Sequence, residues 1–262
     1  MRRIAPLLAT FVFLVATSPA VAITYGTFDG NRHPAVGGLI ATFGSQTFPY
    51  CSGTLISTTV FLTAAHCDIG VSQVQVTFDP DWSTSASTPL YTGTYYANPA
   101  YKHGQGVSGD LAVVVFSSAD APAGITPAQL PALNILDQMK AAGTLNGSTQ
   151  FTSVGYGGQE PVHEPGSGNL IEFLDKREYS VGSYNALTKG YLRLSQNPAH
   201  GDGGTCSGDS GGANFFGAGA SETNVVAAST VTGDLHCHAT NVDQRLDTPD
   251  ARAFLGQYVP LP

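Results

Sequence analysis

Cys206-Ser207-Gly208-Asp209-Ser210-Gly211-Gly212 is the stretch on which the fold turns. Glycines on both sides of Ser210 clear the path for a backbone to approach a carbonyl closely, and main-chain N–H groups can then point at a developing oxyanion. The segment reads as a nucleophilic serine. It also satisfies the looser pattern Gly-x-Ser-x-Gly of an α/β architecture, in which the acid and the histidine follow the serine. The choice between the two folds rests on what precedes Ser210.

A serine hydroxyl needs a base at neutral pH, and histidine is the usual one. Of the seven histidines, His66 closes the apolar run Thr63-Ala64-Ala65-His66-Cys67. His33, His103, His163 and His200 sit beside Pro, Gly or acidic residues and read as surface loops. The base in turn needs an acceptor on its other nitrogen. Asp110 opens Asp110-Leu111-Ala112-Val113-Val114-Val115-Phe116, where a carboxylate is costly to bury unless something bonds to it. Gly109 before it equally permits a solvent-facing turn, so the local residues leave both readings open. After the serine, Asp234 with His236 or His238 would serve the α/β alternative, but Gly211-Gly212-Ala213-Asn214 is a poor helix start.

Short β-branched and aromatic runs recur between turn residues, at Val36–Phe43, Gly53–Thr63, Val74–Phe78, Leu111–Phe116, Gln150–Tyr156, Tyr191–Leu194 and Asn224–Val231. This is strand chemistry. Helical patterning is confined to Pro249–Tyr258, with Thr248 as its cap. The Pro-bearing segment Ala119–Pro131 reads as a connection between two β halves, and Gly157–Ser183 reads as a long loop region.

Together, Thr63-Ala64-Ala65-His66-Cys67, Asp110-Leu111-Ala112-Val113 and the segment around Ser210 resemble the chymotrypsin-like (trypsin-like) serine peptidase family, of the secreted bacterial type. Their order is His, Asp, Ser, and Val154-Gly155-Tyr156-Gly157 is a weaker echo. The resemblance implies an all-β fold: two six-stranded antiparallel Greek-key barrels with the active site between them and a short C-terminal helix. It implies an N-terminal barrel over residues 23–135 bearing His66 and Asp110, and a C-terminal barrel over 136–262 bearing Ser210. It further implies a secreted endopeptidase in which Ser210 attacks, His66 shuttles the proton, Asp110 holds His66, and the N–H groups of Gly208 and Ser210 bind the oxyanion. Two functions compete: a non-catalytic binding protein on the same scaffold, and an esterase.

Residues 1–22 read as a signal peptide: Arg2 and Arg3, an apolar Ile4–Ala16 stretch, and Ala20-Val21-Ala22. Its removal takes two arginines and no acid, leaving 9 Lys+Arg against 19 Asp+Glu, a formal balance of −10. That charge argues against nucleic acid and anionic membrane as partners. Protein or peptide substrates and a proteinaceous inhibitor are the expected partners of an extracellular monomer, with no cofactor required.

Cys51, Cys67, Cys206 and Cys237 permit three pairings. Local pairing, Cys51–Cys67 and Cys206–Cys237, closes two modest loops and matches two common disulfides of the family. No Cys-x-x-Cys pair supports a metal site.

By the same resemblance, a free amine on Ile23 would pair with Asp209, and cleavage after Ala22 would expose it without a propeptide. Gly204 stands where trypsin-like members carry an acid, so tryptic preference is not expected. Val231 and Asn241 complete the expected specificity pocket, which suits a small or medium apolar side chain. Asp202 and Asp234 are the acids close enough in sequence to reverse that preference.

Overall fold

The computed structural model describes residues 23–82, 89–102, 109–158, 162–164 and 168–262. The expected signal peptide, His103 and the side chain of His163 lie outside the described residues.

In chain order the elements are β1 (Thr27–Phe28), β2 (Val36–Phe43), β3 (Gln46–Leu55), β4 (Val60–Thr63), β5 (Gln73–Thr77), β6 (Tyr91–Ala97) and β7 (Ala112–Phe116). Then come α1 (Ile135–Ala141), β8 (Gln150–Gly155), β9 (Val162–Glu164), β10 (Gly168–Leu170), β11 (Glu178–Leu187), β12 (Tyr191–Ser195), β13 (Ala213–Phe216), β14 (Val226–Gly233), β15 (Thr240–Arg245) and α2 (Pro249–Leu255). The first barrel closes in the order β2-β3-β4-β7-β6-β5. The second runs β11-β12-β15-β14-β13-β8 and closes because β11 also pairs with β8. Every pairing between strands is antiparallel, and β9 and β10 form a separate hairpin.

β-Branched and aromatic side chains fill the barrels. Leu39, Phe61 and Val76 are buried in the first, and Phe151, Leu192 and Leu194 in the second. Val154, Ala213 and Phe215 of the second sheet pack into the same apolar cluster as Phe61 and Val113, while Phe151, Leu192 and Leu194 form a cluster of their own. α2 buries Phe254 and Leu255 and is capped as its sequence suggests, the Thr248 side chain accepting from the Ala251 N–H. No described helix is long and apolar enough to cross a membrane.

Three features depart from the sequence reading. The run Gly53–Thr63 is two strands, β3 and β4, split by a turn in which the N–H groups of Ile56 and Ser57 both donate to the Val60 carbonyl. The last six residues of the Gly157–Ser183 region, Glu178–Ser183, instead open β11, which pairs with β8 and then β12 and so closes the second barrel. Its sequence is polar on alternate sides, and its pairing partners, not its own apolarity, hold it extended. Finally, the segment Thr24–Phe28 belongs spatially to the second barrel: Thr24 bridges Gly204, and β1 pairs with β11.

Candidate active site

His66 sits in a one-turn 3-10 segment directly after β4, whose four residues are all buried. That turn is held on several sides. Cys67 is disulfide-bonded to Cys51 on β3. The Tyr95 hydroxyl donates to the Ala64 carbonyl at 2.7 Å, and the Tyr50 hydroxyl to the Cys67 carbonyl at 3.0 Å. Burial pushes the Tyr50 phenol up to about 12, with the Asp68 carboxylate adding to the effect. Burial raises the Tyr95 phenol as well, so both stay neutral donors at neutral pH.

Strand β4 pairs with β7 through Thr63 and Ala112, which brings the end of one and the start of the other to the same rim. Asp110, just before β7, is buried. Its Oδ2 lies 2.7 Å from His66 Nδ1, and its Oδ1 accepts the backbone N–H of His66 at 2.9 Å. The carboxylate at the mouth of an apolar strand is thus paired, not solvent-facing.

Ser210 comes from the second barrel, between β12 and β13. The chain turns sharply there, with the Asp209 N–H donating to the Cys206 carbonyl and the Gly212 N–H to the Asp209 carbonyl. Gly208 and Gly211 have φ of 95° and 85°, a region that strains any side-chain-bearing residue. Gly211 is also packed so tightly against Ser52, Thr63 and Ala64 that a Cβ would collide with all three. That close approach brings the serine turn against the strand end that leads into His66. Ser52 on β3 ties the turn from the first barrel: its N–H donates to the Ser210 carbonyl at 2.8 Å, and its hydroxyl to the Gly208 carbonyl at 3.0 Å. Sequence reasoning missed Ser52, because nothing local marks a strand serine as a partner for residues so far along the chain.

Asp209 is fully buried. Its carboxylate accepts from the Gly157 N–H at 2.8 Å and the Cys206 N–H at 2.9 Å. Burial pushes it up to about 7, against the pull of those two donors. The weak echo at Gly155 and Gly157 now has a reason: a Cβ on either would run into the Asp209 carboxylate. Ile23 is fully buried, and the Gly204 N–H donates to the Thr24 carbonyl at 3.0 Å, so residues 23–24 dock beside this turn.

Next to Ser210 lies a cavity of about 240 Å³, lined among others by Thr205, Ser207, Thr230, Val231 and Asp234. Val231 is on its wall. Gly204 and Asn241, expected there too, instead stand one layer behind. The buried Gln196 amide fills the space where a Gly204 side chain would be and accepts the Thr205 N–H. Asn241 accepts the Thr205 hydroxyl at 2.7 Å. Asp234 folds its carboxylate into the 235–240 loop. Partial burial opposes its ionisation, but the N–H groups of Thr240, Ala239 and His238 with the Gln196 amide hold it down to about 2. Asp202 is taken up by the Ser183 hydroxyl, 2.7 Å away.

His33 is a second correction. It is buried, not on a surface loop, and stacks on Phe215 between Asp29 and Glu222, both of which it hydrogen-bonds. Cys51, His66 and Cys67 place three ligand-type atoms within 4.8 Å of one another, yet both sulfurs are spent in a disulfide and the imidazole is bonded to Asp110. Cys206 and Cys237 form the other disulfide.

Two closed antiparallel barrels with a glycine-flanked serine turn between them define a serine-type endopeptidase, a hydrolase of peptide or protein substrates. The trypsin family model matches residues 29–245, and the chain belongs to that family. No curated protein matches the chain. Among solved structures, one titled as HL collagenase at 1.7 Å resolution is 15% identical, with a TM-score of 0.66, over 90% of this chain and 97% of that one. That likeness is one of fold.

Proposed function

We propose that the protein is a secreted serine endopeptidase working through a Ser210–His66–Asp110 triad and an acyl-enzyme. The observation that carries the reading is the Asp110 grip on His66 at the rim against which Gly211 packs. In this reading His66 takes the Ser210 proton as Oγ adds to the scissile carbonyl, and Asp110 stabilises the imidazolium. The N–H groups of Gly208 and Ser210 hold the oxyanion until the amine leaves with the proton from His66. Water then repeats the cycle on the ester.

The pocket beside Ser210 favours a small or medium side chain without charge. Its volume is modest, Gln196 occupies the place of a tryptic acid, and Asp234 is saturated by donors. Extracellular location is supported by the two disulfides together with the leader-like first 22 residues. Removal of that leader would free the Ile23 amine to pair with Asp209. The acidic balance makes nucleic acid and anionic membrane poor partners, and suits a monomer that meets peptide substrates or a proteinaceous inhibitor.

Ser210→Ala tests the reading. Casein hydrolysis should fall by about a millionfold in turnover, and labelling by a serine-directed phosphonate should disappear. Retained labelling refutes the assignment.

A further inference from the structure

Gln244 lies on β15 of the second barrel and is 1% exposed, yet its side chain serves the first barrel. Its Oε1 accepts the Gly109 N–H at 2.6 Å. Its Nε2 donates to the carbonyls of Gly190 at 3.1 Å and Arg245 at 3.2 Å. Two acceptors on one side and one donor on the other leave a single orientation for the amide, with all three bonds made. Gly109 has a φ of 121°, so its turn is one that only glycine adopts without strain, and the next residue is Asp110. Without Gln244 its buried N–H would have no acceptor, at a cost comparable to a lost hydrogen bond.

Among the described residues, the Asp110 carboxylate takes its hydrogen bonds only from His66. The acid and the base hold each other, but nothing in that pair refers them to Ser210, which rides on the other barrel. Two straps supply the reference. Ser52 reaches from the first barrel to the serine turn, and Gln244 reaches from the second to the acid turn. Through the β14–β15 pairing, Gln244 sits opposite Ser229, next to the Thr230–Val231 wall of the pocket. The strand that shapes the pocket is thereby coupled to the acid.

We infer that Gln244 is a positioning residue that sets Asp110, through Gly109, from the barrel that carries Ser210. The inference rests on the triad reading above. Misplacement of a catalytic group by about 1 Å costs on the order of 100-fold, so Gln244→Met should lower kcat about 10- to 100-fold with KM changed less than about twofold. The same substitution made on Asp110→Asn should cost less than about twofold more, because the group it positions is already lost. Gln244→Glu keeps an acceptor for the Gly109 N–H and should recover part of the loss. Unchanged kcat in Gln244→Met, or an undiminished loss on the Asp110→Asn background, overturns the inference. If Gln244→Met does not fold, the same cycle is run with Gln244→Glu against Gln244→Asn, which is too short to reach Gly109; equal kcat in those two overturns it. Full turnover by Asp110→Asn alone fails the triad reading instead, so the two failures are told apart.

Discussion

One carboxylate of Asp110 binds His66 twice, at ring Nδ1 and at the residue's own backbone N–H, 2.7 and 2.9 Å away. Ring plane and main chain are thereby referred to the same group. Asp110→Asn keeps an acceptor for the backbone N–H but turns an NH2 toward Nδ1, which imposes the other tautomer. Turnover should fall about 10,000-fold with the fold intact, the magnitude this substitution carries in such triads. Steady-state kinetics beside a thermal melt would show it; a loss under tenfold contradicts the role.

Asp209 makes processing visible as a pH dependence. Burial raises its folded value from 3.8 to about 7, against the Cys206 and Gly157 N–H donors. The folded state then holds a proton that the unfolded chain has released, so stability falls as pH rises from about 4 to about 7. A free Ile23 amine beside the carboxylate would favour its ionised form and remove that slope. Urea titrations of the unprocessed and processed chains across this window should therefore diverge with pH. Parallel curves, or a secreted protein whose amino-terminal sequencing starts elsewhere than Ile23, argue against the pair.

Arg177 is fully buried and makes four strong bonds. Its guanidinium donates to Asp29 at 2.8 Å and to the carbonyls of Val36, Phe78 and Gly30. Burial works against the Asp29 carboxylate, but His33 and Arg177 together bring its pKa below the ordinary value. Arg177→Met strips the cation from a buried acid and should cost about 3–5 kcal/mol. The melting temperature should then drop by at least about 6 °C. A shift within about 2 °C would contradict it.

The pocket can be probed from two sides. Gly204→Asp should not create a preference for Lys or Arg, because Gln196 already occupies the space such a side chain needs; it should lower stability instead. Val231→Gly should widen acceptance toward larger residues, since Val231 lines the cavity beside Ser210. Peptide-library profiles decide both. Tryptic cleavage by the first variant, or an unchanged profile in the second, would sink the pocket assignment.

Strands such as β2 and β8 were legible because apolar, β-branched and aromatic runs bounded by turn residues are local properties; the span expected at Val36–Phe43 is the one observed. The Thr248 cap and α2 were legible for the same reason. β15 was not. Its buried residues include Asn241, Asp243, Gln244 and Arg245, and a strand whose buried side chains are polar carries no hydrophobic period. α1 was missed likewise: its seven residues bury only Leu136, and the Leu136 N–H is held by Asp247 from far along the chain.

The order His66, Asp110, Ser210, the short strand-like runs and the family resemblance they carry were enough to choose two β-barrels over an α/β sheet, because fold class follows from local patterning and the sequence of motifs. Distances between chain segments are another matter. That Asp110 is paired and not solvated, that Gly155 and Gly157 exist to admit Asp209, and that Ser52 and Gln244 strap one barrel to the other are all facts of tertiary contact. A contact between residues more than forty positions apart leaves no trace in the neighbourhood of either, so only the folded chain could decide them.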